Sequence, residues 1–189
     1  MKKSNLIILL TAFFIFCLIS ENVFAKKSRK DYFFKPQVGG WFGPISPVGP
    51  TGDLLKTDLG GGLFGRYNIP WKYFKVGLDI SYQSYESDGI NKLMMVPLYP
   101  SGIFLLPIPI PVKFQLKAGF GTTWIKMFPD RSEQWDPLLV LGFEASFPAG
   151  RIVNIGLRID YQYVIEEYVD GAKNGGHFIN VGIQLYFNI

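Results

Sequence analysis

The segment His177-Phe-Ile-Asn-Val-Gly-Ile-Gln-Leu-Tyr-Phe-Asn-Ile189 decides the fold of this chain. Every second residue from Ile179 to Ile189 is apolar, and polar or small residues lie between them, apart from Tyr186. Because successive side chains of a β-strand point to opposite faces, the segment predicts a strand with one apolar and one polar face. Similar segments of about ten residues recur along the chain, which is typical of a transmembrane β-barrel.

Eight such strands are predicted, at residues 33–45, 59–69, 74–86, 93–106, 112–127, 138–147, 152–166 and 178–189. The connections between them alternate in length. Short ones cover 70–73, 107–111 and 148–151, and longer polar ones cover 46–58, 87–92, 128–137 and 167–177. Bacterial barrels have short periplasmic turns and longer external loops. We therefore predict an all-β protein, a single antiparallel up-and-down transmembrane β-barrel of eight strands.

Prolines crowd one stretch of this scheme, at positions 97, 100, 107, 109 and 111. Proline cannot donate to a strand ladder and is usually found at edges, bulges or strand starts. A closed barrel has no edge. The sequence therefore predicts either a short, bulged fourth strand or a chain that leaves the wall around Pro100 and re-enters it.

The N-terminus has the three parts of a cleavable signal peptide. Lys2 and Lys3 precede an apolar run at residues 6–19, and Val23-Phe-Ala25 fits a cut after Ala25. We predict a signal peptide at 1–25 and one barrel domain at 26–189. The single cysteine, Cys17, lies in the predicted signal peptide, so disulfides and cysteine-ligated metals are excluded from the mature barrel.

The polar face is predicted to line the lumen, because the apolar face is bulky and free of charge. Lysine or arginine on a lipid face costs about 2–4 kcal/mol at the bilayer midplane. A soluble barrel would invert this pattern and is the alternative at the level of the fold. Aromatic residues near the strand ends predict two girdles, with Trp71, Tyr73, Phe147 and Phe187 at the periplasmic rim and Tyr82, Tyr85, Trp124, Tyr161 and Tyr163 at the outer rim.

The lumen of an eight-stranded barrel is just wide enough to be filled by side chains, and charges buried there must pair. Counting from the periplasmic turns places Lys117, Glu144 and Arg158 at similar depth on three consecutive strands, with Asp160 nearby. We interpret this cluster either as a structural plug of ion pairs or as a gate that opens when partners exchange. The remaining charges predicted inside are Arg66, Lys75 and Asp79.

Three residues of the longer connections are predicted as external contact candidates: Trp135, Tyr168 and His177. Aromatic residues tend to dominate interface energetics, although girdle or loop packing explains the two aromatic rings equally well. His177 is the only histidine. It would be catalytic if Ser84 or Ser87 and a carboxylate such as Glu86 or Asp88 faced it, and otherwise it is an exposed loop histidine.

Other chemistry has little support in the sequence. No metal site is predicted, because only oxygen ligands remain and no calcium-loop spacing appears. No cofactor is predicted either, since the glycine runs precede no helix that could cradle a phosphate. A net charge of +4 is too small to indicate a nucleic-acid partner.

The signal peptide, the eight alternating segments, the turn and loop asymmetry and the closing Leu185-Tyr-Phe-Asn-Ile189 resemble the OmpA-like/OmpX-like superfamily of small outer-membrane barrels. The resemblance covers essentially the whole mature chain. It implies outer-membrane lipid as surroundings, and recognition of the last strand by the barrel-assembly machinery. The family usually ends on phenylalanine, whereas this chain ends on Ile189 with Phe187 two residues earlier.

We therefore expect an exported, integral outer-membrane protein. Its expected role is structural or surface-interactive, through the external loops and an unidentified surface ligand, with the lumen plugged by ion pairs and no enzymatic activity. One alternative is a narrow channel for small solutes. Another is an enzyme that modifies lipid A.

Overall fold

The computed structural model describes residues 35–71, 73–87, 91–129, 132–150, 152–165 and 175–189. The predicted signal peptide lies outside these ranges. Eight strands form one closed sheet, and the predicted fold class is confirmed. The strands are β1 (Gln37–Pro47), β2 (Asp58–Asn68), β3 (Phe74–Glu86), β4 (Lys92–Leu105), β5 (Lys113–Phe128), β6 (Glu133–Pro148), β7 (Val153–Val164) and β8 (Gly176–Asn188). None of the described residues belongs to a helix long and apolar enough to cross a membrane.

Each strand pairs antiparallel with its neighbours in the chain, and β8 closes the barrel on β1. We call the end that carries Gln37, Asn188 and the three short connections the turn end, and the opposite end the loop end. Following paired residues once around the wall from Gln37 leads back to β1 at Pro47, ten residues further along. The strands are therefore strongly staggered.

Burial alternates along the strands as the period of two requires, with polar residues such as Asp79 and Gln184 buried inside. The outward face carries exposed apolar side chains around the whole wall, such as Leu78 at 54% and Ile183 at 63% exposure. Formal charges on the outward face of the strands lie only at the loop end, on Glu86, Lys92, Lys126 and Glu133. A broad apolar band thus surrounds the barrel.

The proline-rich stretch does not interrupt the wall, so both sequence expectations for it are wrong. β4 runs unbroken through Pro97 and Pro100, and its register with β3 and β5 stays constant on either side of them. The pairing with β3 lapses at Pro97 and the pairing with β5 lapses at Pro100. Each proline therefore faces a gap in a single ladder, where its missing N–H removes no bond.

Candidate functional site: the filled lumen

Six buried charges form a network in the turn-end half of the lumen, which we call the charge cluster: Arg66, Asp79, Lys117, Glu144, Arg158 and Asp160. Lys117 Nζ lies 2.9 Å from Asp160, 3.6 Å from Asp79 and 3.8 Å from Glu144. Three cations thus meet three carboxylates. The structure brings together all four residues that the sequence analysis grouped, and adds Arg66 and Asp79 to them.

Two ion pairs of the cluster cross the whole barrel. Arg66 Nη2 on β2 donates to Glu144 Oε1 on β6 at 2.7 Å, and Arg158 Nη2 on β7 donates to Asp79 Oδ1 on β3 at 3.2 Å. In each pair the two strands are four apart and so lie opposite one another in the eight-stranded wall. Arg158 also donates to its neighbour Asp160. These side chains bridge the lumen directly.

Neutral groups complete the coordination of the carboxylates. Gln184 Nε2 donates to Glu144 at 3.1 Å, and Ser101 Oγ donates to Asp79 at 3.2 Å. The hydroxyl of Tyr99 accepts from both Lys117 and Arg158 at 3.3 Å. Such hydrogen bonds offset part of the cost of burying charge.

Trp41 covers the cluster from the side of β1. Its ring lies 4.9 Å from the Arg158 guanidinium carbon, a cation–π contact. The ring fits only because its neighbours are glycines. A Cβ at Gly62 would lie 2.8 Å from Trp41 Nε1, and one at Gly182 would lie 2.7 Å from Trp41 Cε3. The glycines on the polar face therefore make room for side chains in the lumen.

Above the cluster, toward the loop end, apolar side chains fill much of the lumen beside buried polar residues such as Gln83, Thr123 and Gln162. The sequence analysis did not predict this apolar set. We call this set the apolar layer: Ile45, Tyr85, Leu93, Met95, Ile125, Leu138, Val140, Val164 and Phe178. The rings of Tyr85 on β3 and Phe178 on β8 lie 5.0 Å apart. Tyr85 was predicted in the outer girdle, but it points inward and is fully buried. Gln83 also reaches across to Gln162, at 3.1 Å.

The connection between β1 and β2 folds over part of the loop end. It contains a short 3₁₀ helix, Gly49–Asp53, and packs Leu55 against the apolar core. Val48 N donates to the carbonyl of His177, whose own N–H donates to Thr51 Oγ1. Lys56 N donates to the carbonyl of Glu86. This loop is thus fixed to the ends of both β8 and β3.

At the turn end lies a second polar set, which we call the polar layer: Gln37, Asn68, Lys75, Gln115 and Asn154. These residues are inward-facing positions near the turn-end termini of five strands. Every one of them carries a buried polar atom without a hydrogen-bond partner in the described structure. No sequence signal distinguishes this layer from the charge cluster above it.

The external contact candidates lie elsewhere than expected. Trp135 is in β6 rather than in a loop, because β6 begins at Glu133; it is 64% exposed on the outward wall and pairs with Trp124. His177 is in β8 rather than in a loop, and its Nδ1 lies 2.6 Å from the Tyr161 hydroxyl. Tyr168 lies outside the described residues.

The arrangement around His177 does not assemble the catalytic set considered above. Ser84 and Glu86 lie on the outward face of β3, three strands around the wall from β8. Ser87 directly follows β3, and its N–H donates to the carbonyl of Asn91, while Asp88 lies outside the described residues. The His177 ring contacts instead the rings of Tyr161 and Tyr163. Among the described residues, no group of three or more histidine, cysteine or acidic side chains is arranged to hold a metal ion.

Solved structures share this fold at low sequence identity. Neisserial surface protein A is 15% identical, with a TM-score of 0.63 over 82% of this chain and 97% of that chain. The outer membrane protein OprG from Pseudomonas aeruginosa is 12% identical, with a TM-score of 0.50 over 82% and 96%. No protein-family profile and no curated protein matches the sequence. The predicted resemblance to small outer-membrane barrels is confirmed for the fold, and the predicted outer-membrane localisation agrees with it.

Proposed function

We propose that this chain is an integral outer-membrane barrel that does not conduct solutes and acts, without enzymatic activity, through its external face. The observation that carries the proposal is that side chains cross the lumen at successive depths. Asp79, Gln83 and Tyr85 lie in this order along β3 toward the loop end. The first two contact residues of β7, the strand directly opposite, and Tyr85 contacts Phe178 on the neighbouring β8.

Two different barriers oppose a channel. The charge cluster holds its six side chains in mutual ion pairs. The apolar layer offers a passing ion few polar groups to replace its water, and those of Tyr85, Gln83 and Gln162 are already hydrogen-bonded to one another. Exchanging ion-pair partners would rearrange the cluster but would leave the apolar layer in place. The plug interpretation is therefore favoured over the gate.

Planar-bilayer conductance of the refolded chain from Lys26 onward tests this part of the proposal. We expect no unitary current steps from the wild type or from Glu144→Gln, because the apolar layer is unchanged in both. Steady steps from the wild-type barrel would contradict the proposal and would favour the channel.

The external role is supported by the loop between β1 and β2, which is fixed in place yet exposes Leu54 at 71%. An ordered loop with an exposed apolar side chain can bind a partner at little cost in conformational entropy.

Single cysteine variants test which end is external. Leu54→Cys at the loop end and Trp71→Cys at the turn end start from side chains of equal exposure, 71% each. An impermeant maleimide should label the Leu54→Cys variant in intact cells, and the Trp71→Cys variant only after the outer membrane is permeabilised. Labelling in the reverse order would overturn the proposed orientation, and labelling of neither variant in a folded barrel would overturn the location.

A further inference from the structure

The polar layer contains a buried lysine that forms no ion pair with the charge cluster. Lys75 is 2% exposed, and its Nζ has neither a hydrogen-bond partner nor an ion pair within the described residues. The three carboxylates of the cluster are already engaged by three other cations, Glu144 chiefly by Arg66 and the two aspartates by Lys117 and Arg158. Lys75, near the turn end of the inner wall, therefore has no carboxylate partner among the described residues.

Unused hydrogen-bond donors surround this charge. Asn68 lies directly opposite Lys75 in the β2–β3 ladder, and Arg66 is the next inward residue on β2. Arg66 binds Glu144 through Nη2 alone, which leaves its Nε and Nη1 buried and unbonded. Gln115, which pairs with Glu144 in the β5–β6 ladder, has an unbonded side-chain amide as well.

Leaving these buried donors unpaired is destabilising, because a buried donor without an acceptor keeps its full desolvation cost. Water can satisfy amides, whereas a charged amine buried in the lumen requires an opposite charge nearby. The set is rich in donors: an ammonium, two guanidinium N–H positions and several amides. Such a set suits an anion with several oxygens.

We propose that the polar layer binds one phosphate-type oxyanion, held mainly by Lys75 and Arg66 with amide donors from Asn68 and Gln115. The anion enters from the turn end, because the charge cluster and the apolar layer obstruct the lumen from the other side. The site is independent of the proposed external role. Its phosphate belongs either to free inorganic phosphate or to a phospholipid headgroup.

Calorimetric titration of the barrel, purified from membranes into detergent, with inorganic phosphate at constant ionic strength tests the site. We expect saturable binding of one phosphate per barrel. Lys75→Met should weaken phosphate binding by about tenfold or more, as expected for the loss of a charged hydrogen bond. The same variant should unfold at a higher temperature than the wild type in phosphate-free chloride buffer, because it removes a buried amine that has no partner among the described residues.

Lys92→Met removes an outward-facing lysine at the loop end and serves as the matched control, with phosphate binding unchanged. Lys75→Arg keeps a basic side chain at this position and should retain saturable phosphate binding. It shows whether a loss of binding in Lys75→Met reflects the missing basic group or a folding defect. Absence of saturable binding to the wild type, or equal binding to Lys75→Met, would overturn the proposal.

Reconstitution into membranes of different lipid composition distinguishes free inorganic phosphate from a phospholipid headgroup. The barrel is reconstituted into phosphorus-free glycolipid vesicles and, separately, into phosphatidylglycerol vesicles, and inorganic phosphate is titrated into each. Equal binding in both supports free phosphate as the occupant. Binding that appears only in the phosphorus-free vesicles supports a lipid headgroup, which then competes for the site.

Discussion

Replacing Glu144 by glutamine removes one charge from the charge cluster while preserving the shape of the side chain. Glu144 is completely buried and, among the described residues, is the only carboxylate paired with Arg66, whereas Arg158 is shared between Asp79 and Asp160. The variant therefore leaves the Arg66 guanidinium buried without a counter-charge. The cluster would hold three cations and two carboxylates.

The expected loss is about 3 kcal/mol of unfolding free energy. Breaking a buried pair by removing one partner costs about 3–5 kcal/mol. The lower end applies here, because the glutamine carbonyl can still accept the 2.7 Å hydrogen bond from Arg66 Nη2. Gln184, whose Oε1 is unbonded, can rotate to accept from the new amide.

Equilibrium unfolding by urea in lipid vesicles, followed by tryptophan fluorescence, measures this loss. Glu133→Gln is the matched control, since it breaks the partly exposed Lys126–Glu133 pair and should cost no more than about 1 kcal/mol. Arg66→Met combined with Glu144→Gln should cost less than the sum of the two single variants by about 1–3 kcal/mol. A Glu144→Gln barrel within about 1 kcal/mol of wild type would refute the reasoning that Arg66 depends on this carboxylate.

Other substitutions probe the surroundings of the cluster. Leu138→Ala in the apolar layer should cost about 2–5 kcal/mol in the urea assay, yet produce no bilayer conductance because the ion pairs below still cross the lumen. Gly182→Ala pushes a methyl group against Trp41 and should cost about 1–3 kcal/mol, whereas Gly65→Ala, with open space at its Cβ, should be nearly neutral; equal costs would contradict the packing described for Trp41. Trp135→Ala should reduce the fluorescence that is quenched by lipids brominated near the headgroup without abolishing it, because Trp124 lies beside Trp135 on the outward wall; unchanged quenching would place Trp135 away from the membrane interface.

The strands and the polarity of their faces are readable from the sequence because both depend only on local alternation. The strand predicted at 74–86 matches β3 residue for residue, and the lumen positions of Lys117 and Glu144 follow from their phase in the strand. The pairing of Arg66 with Glu144 cannot be predicted from the sequence, because it depends on the stagger of the strands that brings Arg66 on β2 opposite Glu144 on β6.

The apolar layer could not be predicted from the sequence for a different reason. Residues 138–141 read Leu-Leu-Val-Leu, so both faces of that part of β6 are apolar and alternation carries no information there. Leu138 and Val140 point inward and Leu139 and Leu141 point outward. β4 was misjudged because a closed sheet tolerates a proline wherever only one of its two ladders lapses.

The stagger of the wall also determines how wide the barrel can be. A ten-residue offset over eight strands, with ordinary strand spacings, gives a tilt of about 43° and a Cα radius of about 8 Å. This radius is set by the backbone hydrogen bonds of the wall and not by the side chains in the lumen. Substitutions within the lumen should therefore change what fills the barrel, and how stable it is, without changing its diameter, which makes this barrel a frame for engineered pores.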